Sequence, residues 1–102
     1  MVKPGVVFKE INARLFHVCV TAQWVWEKYG LTPTITEAWR KGTGLHPKNM
    51  AWDLRIWGLK NPKKVSDELR EMLNIKTNDY DVVYGDKTHL DHIHVEYDPK
   101  PK

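Results

Sequence analysis

Residues 44–55 read GLHPKNMAWDLR, and they place an imidazole and a carboxylate seven positions apart. The carboxylate, Asp53, lies inside an apolar run that includes Trp52 and Leu54. Burying a charge in such a run costs free energy unless the charge is paired or coordinates a metal. We therefore interpret His46 and Asp53 as candidate metal ligands.

A second candidate segment, residues 89–97, reads HLDHIHVEY. In a strand, side chains two positions apart share a face, so His92 and His94 are expected to point the same way. One histidine and one carboxylate from the first segment, with one histidine from the second, make a three-ligand zinc site. Three protein ligands plus a water is the pattern of catalytic zinc, whereas structural zinc sites are closed by four protein ligands.

Two helices are predicted from periodicity and end signals. In residues 6–29 apolar side chains recur every three or four positions, which predicts an amphipathic helix that stops at Gly30. A second helix is predicted to begin with Asn61 as its N-cap and Pro62 in its first turn, and to end near Asn74.

Four strands are predicted from β-branched and aromatic residues, over residues 34–39, 51–57, 80–84 and 90–97. The last two are separated by a glycine-containing turn and are expected to form an antiparallel hairpin. The order of elements predicts an α+β fold, a small antiparallel sheet with two helices packed on one face. The zinc site is expected on the open face of that sheet.

The chain has 102 residues, which predicts one domain over residues 1–102 with a solvated tail at 98–102. The formal net charge is +3, but the basic residues are scattered along the sequence. Scattered basic charge argues against nucleic acid as a partner. The net positive charge is compatible with weak, non-specific attraction to an anionic polymer such as a bacterial wall. We expect the protein to be a monomer.

Cys19 is the only cysteine, so no intrachain disulfide is expected. The first ten residues contain no long apolar segment of the kind found in signal peptides. The apolar run at residues 16–25 is too short and too polar for a membrane span. We therefore expect synthesis in the cytoplasm without a signal peptide.

The ordered set of His46, Asp53 and a late His-x-His resembles the zinc D-alanyl-D-alanine carboxypeptidase and L-alanyl-D-glutamate endopeptidase family. That family includes phage endolysin domains and is structurally akin to the hedgehog signalling domain. The resemblance extends over residues 35–97, and its chain order and seven-residue spacing are its most specific features. The sequence departs from the family motif at Gly44, where the motif has Ser, and at Asn49, where it has Gly.

The resemblance implies a zinc site with three protein ligands, which are His46, Asp53 and His94. It also implies Asp91 as the general base and Arg40 as the partner of the substrate carbonyl or carboxylate. His92 is given a secondary role in the site, and whether Asp91 or His92 acts as the base stays open. Such a protein is a peptidase that cuts the peptidoglycan stem at D-Ala-D-Ala or L-Ala-D-Glu.

The expected origin is a phage or prophage, with action on the bacterial cell wall after lysis-type release or as a virion component. The alternative is a catalytically silent, zinc-containing binding module of the same fold. Each residue taken alone has an ordinary explanation, since Asp53 could pair with Arg55 or Arg40 and the histidines could form a polar strand face. Glu96 could face solvent or orient His94.

Overall fold

The structure is a computed structural model that describes residues 1–8, 12–38, 50–86 and 90–99. Within these ranges the elements are two helices, α1 (Ala13–Glu27) and α2 (Pro62–Leu73), and four strands, β1 (Ile35–Glu37), β2 (Ala51–Arg55), β3 (Tyr80–Val83) and β4 (His92–Tyr97). The strands form one antiparallel sheet in the order β1-β2-β4-β3. The predicted α+β class and the β3–β4 hairpin are confirmed.

Helix α1 begins later than predicted, because a capping side chain outweighs the apolar periodicity that precedes it. Asn12 has extended backbone angles, and its side chain accepts a hydrogen bond from the Leu15 N–H at 2.9 Å. Residues 6–8 lie outside the helix. The segment before them instead follows β1, since Val2 forms a parallel bridge with Ile35. The predicted stop is confirmed, because the helix ends at Glu27, three residues before Gly30.

Helix α2 has the ends that its sequence predicts. The Asn61 side chain accepts a hydrogen bond from the Lys64 N–H at 3.1 Å, and Pro62 occupies the first turn. At the other end, the Asn74 side chain donates to the carbonyl of Tyr80 at 2.8 Å and accepts from its N–H at 3.0 Å. Asn74 therefore ends the helix and fixes the start of β3 beside it.

Strands β2 and β4 are shorter than predicted, β2 at its end and β4 at its start. β2 stops at Arg55 because residues 57 and 58 form a turn, in which Gly58 adopts a φ of 81° that other residues rarely tolerate. β4 begins at His92, since residues 90 and 91 form a bend. Trp39, the end of the first predicted strand, lies outside the described residues.

The two faces of the sheet differ in character because side chains alternate along each strand. Trp52, Leu54, Ile93 and Val95 are fully buried and pack with both helices. Burying a side chain of this kind contributes about 1.5–3 kcal/mol each, so this face holds the domain together. The opposite face carries the polar residues Glu37, Asp53, Arg55, His92, His94 and Glu96. In the described part of the chain, no helix is both long and apolar enough to cross a membrane.

Candidate metal centre

The centre of the polar face is a buried pair formed by Asp53 and His94. These residues are direct partners in the β2–β4 register, so their side chains lie next to each other on one face. His94 Nδ1 is 2.8 Å from Asp53 Oδ1. The two residues are only 3% and 6% exposed. A carboxylate this deeply buried needs a partner, and the imidazole provides it.

His92 is a second imidazole beside the same carboxylate. It precedes His94 by two positions on β4, and its Nε2 lies 3.6 Å from Asp53 Oδ1. Asp53, His92 and His94 each offer one ligand atom, and these three atoms lie within 4.8 Å of one another. Zinc bonds of about 2.0–2.1 Å in a tetrahedral arrangement place neighbouring ligand atoms roughly 3.3 Å apart. The spacings of 2.8 and 3.6 Å lie on either side of this distance, so the group could hold a metal ion.

Each imidazole also has a carboxylate on its far side. Asp91 Oδ1 lies 2.5 Å from His92 Nδ1, and Glu96 Oε1 lies 2.8 Å from His94 Nε2. Both rings therefore direct one nitrogen at Asp53 and the other at a second acid. Metal-binding histidines are usually oriented in this way, because the outer carboxylate fixes the ring and raises its basicity.

The acids around His94 change its protonation. Burial lowers the pKa of the imidazole, but hydrogen bonds and charge interactions with Asp53 and Glu96 outweigh that effect and raise the pKa above its ordinary value. An imidazole between two carboxylates is a good donor to both when it is protonated. A metal ion that binds a ring nitrogen of His94 must displace the proton from that nitrogen.

A cavity of about 390 Å³ lies beside the group. Asp53 and His92 form part of its wall, and the remaining lining residues are Lys3, Thr36, Glu37, Arg55, Trp57 and Asp91. A larger cavity of about 660 Å³ lies elsewhere, between α1, the end of α2 and the start of β3, and is lined by Arg14, His17 and Tyr80 among others. Because the larger cavity contains none of the three grouped residues, the smaller one is the candidate site.

The structure brings together some of the residues predicted from the sequence. Asp53 and His94, both predicted as ligands, are in contact, and His92, which was given a secondary role, is the third member of the group. The Asp91 side chain is 92% exposed, lines the cavity and contacts His92. His46 and Arg40 lie outside the described residues, so their predicted roles stay predictions.

Glu96 and Arg55 are the residues whose surroundings the sequence indicated least. The hydrogen bond from His94 shows that the carboxylate of Glu96 has an orienting contact with the site, one of the two roles that its position on β4 left open. The guanidinium of Arg55 stacks on Trp57, with its central carbon 3.7 Å from the ring centroid. In the sequence, this contact is indicated by the separation of Arg55 and Trp57, which is two positions.

Comparison with known proteins gives no assignment, since no protein family model, no curated protein and no solved structure matches this chain. The chemistry of the site is therefore what indicates a function. At its centre, one buried carboxylate, Asp53, contacts His94 and lies near His92, and a second acid contacts each ring on its other side.

Proposed function

We propose that this chain is a zinc-dependent peptidase that hydrolyses a peptide bond in the peptidoglycan stem, at D-Ala-D-Ala or L-Ala-D-Glu. The observation that carries the proposal is the group formed by Asp53, His92 and His94, of which Asp53 and His92 line a cavity. The substrate class is supported by the resemblance of residues 35–97 to zinc peptidases of the bacterial wall. A phage or prophage origin, with action on the wall after lysis or from a virion, is part of the same proposal.

The donor set fits zinc better than it fits magnesium or calcium. Two imidazole nitrogens and one carboxylate oxygen suit zinc, while the hard cations prefer oxygen ligands alone. Asp53 and His94 belong both to the ligand set that the resemblance implies and to the group in the structure. We propose these two as ligands. The third ligand is proposed to be His46, because the resemblance implies it. His92 is the alternative third ligand, because it lies close to Asp53 and His94 in the structure.

In the proposed reaction, the oxygen of a water molecule forms a bond to the carbonyl carbon, the C–N bond breaks, and the leaving nitrogen takes up a proton. Zinc, when bound, supplies a nucleophile at neutral pH and polarises the scissile carbonyl. Asp91 borders the cavity and is proposed to take the proton from water and return it to the nitrogen. Arg40 is proposed to hold the oxygen on which negative charge develops.

The second candidate function is a catalytically silent, zinc-containing binding module. One observation favours it, namely that Asp91 and Glu96 each contact an imidazole. A carboxylate that serves only to orient a ring supports metal binding without proton transfer. The two functions therefore differ in the role of Asp91, and an assay of peptide hydrolysis distinguishes them.

The deciding experiment measures hydrolysis by zinc-loaded protein. N-acetyl-D-Ala-D-Ala and an L-Ala-D-Glu stem peptide are incubated with the protein, and products are identified by mass spectrometry. We expect one peptide to be cleaved at the named bond and cleavage to stop when a chelator removes zinc. Intact peptides in the presence of protein that holds zinc would count against the peptidase and for the binding module.

A further inference from the structure

Arg55 lies on the same face of the sheet as the candidate metal ligands Asp53, His92 and His94, which are called the metal group below. It is two positions after Asp53 on β2 and is the register partner of His92 on β4. The central carbon of its guanidinium lies over the Trp57 ring, 3.7 Å from the ring centroid. Stacking occupies the face of a guanidinium and leaves the N–H donors at its edge available for hydrogen bonds.

The donors of Arg55 are not consumed by an acid within residues 1–8, 12–38, 50–86 and 90–99. No carboxylate in those ranges forms an ion pair with its guanidinium. Arg70 shows the contrasting case, because it donates to Asp67 at 2.8 Å and also bonds a backbone carbonyl. Arg55 is therefore a cation that is held in place by an aromatic ring and that retains its capacity to bind an anion.

Arg55 lines the same cavity as two residues of the metal group. Arg55 and Trp57 line it together with Asp53 and His92, and Lys3 adds a second positive charge to its wall. At about 390 Å³ the cavity falls within the range of small-molecule sites. A bound peptide would meet the metal group at one part of the wall and the guanidinium at another.

We infer that Arg55, supported by Trp57, binds a carboxylate of the substrate, so that the substrate is an anionic peptide with a free carboxylate close to the bond that is cut. A planar guanidinium matches a carboxylate through two parallel N–H···O bonds. The inference rests on the proposed peptidase function for its substrate class. The terminal carboxylate of a D-Ala-D-Ala peptide has the required chemistry.

The test compares two forms of one peptide, N-acetyl-D-Ala-D-Ala and the same peptide with a C-terminal carboxamide. Binding to the full chain is followed by two-dimensional NMR titration, with and without added zinc. We expect wild type to bind the acid about tenfold more tightly than the amide, because only the acid accepts charge-assisted bonds. Arg55→Gln is expected to abolish that preference and to leave zinc content unchanged.

Arg14→Gln is the matched control. The Arg14 guanidinium also lies over an aromatic ring, 4.3 Å from the centroid of Tyr97, but it borders the larger cavity. This variant should keep the wild-type preference for the acid. Trp57→Ala provides a second test if Arg55→Gln does not fold. Because Trp57 is 72% exposed, its loss should spare the core and reduce the preference.

Equal binding of acid and amide by wild type, no binding of either, or an unchanged preference in Arg55→Gln would overturn the inference. The readout does not require turnover, so it can be separated from the peptidase proposal. A preference for the acid that depends on Arg55, without any cleavage, supports the carboxylate site and removes the peptidase. Cleavage without such a preference supports the peptidase and removes the carboxylate site.

Discussion

His94 Nδ1 lies 2.8 Å from Asp53 Oδ1 because the two residues are register partners across β2 and β4. The same register places Trp52 opposite Val95 on the buried face. A slip of one residue would turn Asp53 toward the core and Trp52 toward the polar face. The hydrophobic core therefore fixes the contact on which the candidate metal centre depends.

The first prediction concerns metal content. We expect purified wild-type protein to hold about one zinc per chain, as a mononuclear site does. His94→Ala should lose most of this zinc, because it removes a nitrogen that faces Asp53. Elemental analysis of untagged protein measures the effect, with His17→Ala as the control, since His17 lies outside the group and contacts the carbonyl of Leu73. Equal zinc in wild type and His94→Ala would remove His94 from the site.

The third ligand is the subject of the second prediction. We expect His46→Ala to weaken zinc binding more than His92→Ala does, because the resemblance gives His46 as a ligand and His92 a secondary role. Zinc affinities are measured by competition with a chelator. The reverse order of the two variants would make His92 the ligand.

Glu96 is predicted to tune the metal site through His94. Its carboxylate contacts Nε2 and leaves Nδ1 directed at Asp53. Removing such an outer carboxylate typically lowers metal affinity about 10- to 100-fold, so Glu96→Ala should weaken zinc binding by this amount. Glu71→Ala, at an exposed position on α2, is the control. An affinity equal to that of wild type would show that Glu96 does not orient the ring.

Local chemistry explains which parts of the fold could be predicted from the sequence. Asn61, Pro62 and Asn74 bound α2 through contacts a few residues away, so their effect is visible in the sequence. The periodicity of residues 6–29 predicts too early a start for α1, because periodicity gives no sign that Asn12 caps the helix. Val7, an apolar residue within that range, is 46% exposed.

The candidate site shows the same division between local and long-range information. Alternation along one strand was enough to place His92 and His94 on a common face. The contact between Asp53 and His94 depends on β2 pairing with β4, and the α2 helix and β3 lie between those strands in sequence. No local pattern specifies that pairing. The Arg55–Trp57 stack likewise depends on the turn after β2 and on side-chain directions that spacing alone does not give.

Cys19 is predicted to react slowly in the native protein. Burial raises the pKa of its thiol, with a smaller opposing effect from the positively charged N-terminus. A raised pKa means that less thiolate is present at neutral pH, and the thiolate is the reactive form. Labelling by a thiol reagent at pH 7.5 should therefore be much slower in buffer than in denaturant. Equal rates would show that the thiol is accessible and unperturbed.

The last prediction tests whether the site performs catalysis. Asp91→Asn should keep the fold, because the Asp91 side chain is 92% exposed and an amide oxygen can still accept a hydrogen bond from His92. It should also keep zinc, since Asp91 is not among the proposed ligands. An amide cannot take a proton from water, and a positioned general base contributes about 100- to 10,000-fold, so turnover should fall by that factor. Release of muropeptides from purified walls measures turnover, and zinc content and melting temperature are measured beside it. Glu71→Gln on α2 is the acid-to-amide control.

If Asp91→Asn retains zinc and full turnover, the base must be another group, and His92 and Glu96 are the next to test. If turnover falls only together with zinc content, Asp91 acts by orienting His92 and not by transferring a proton.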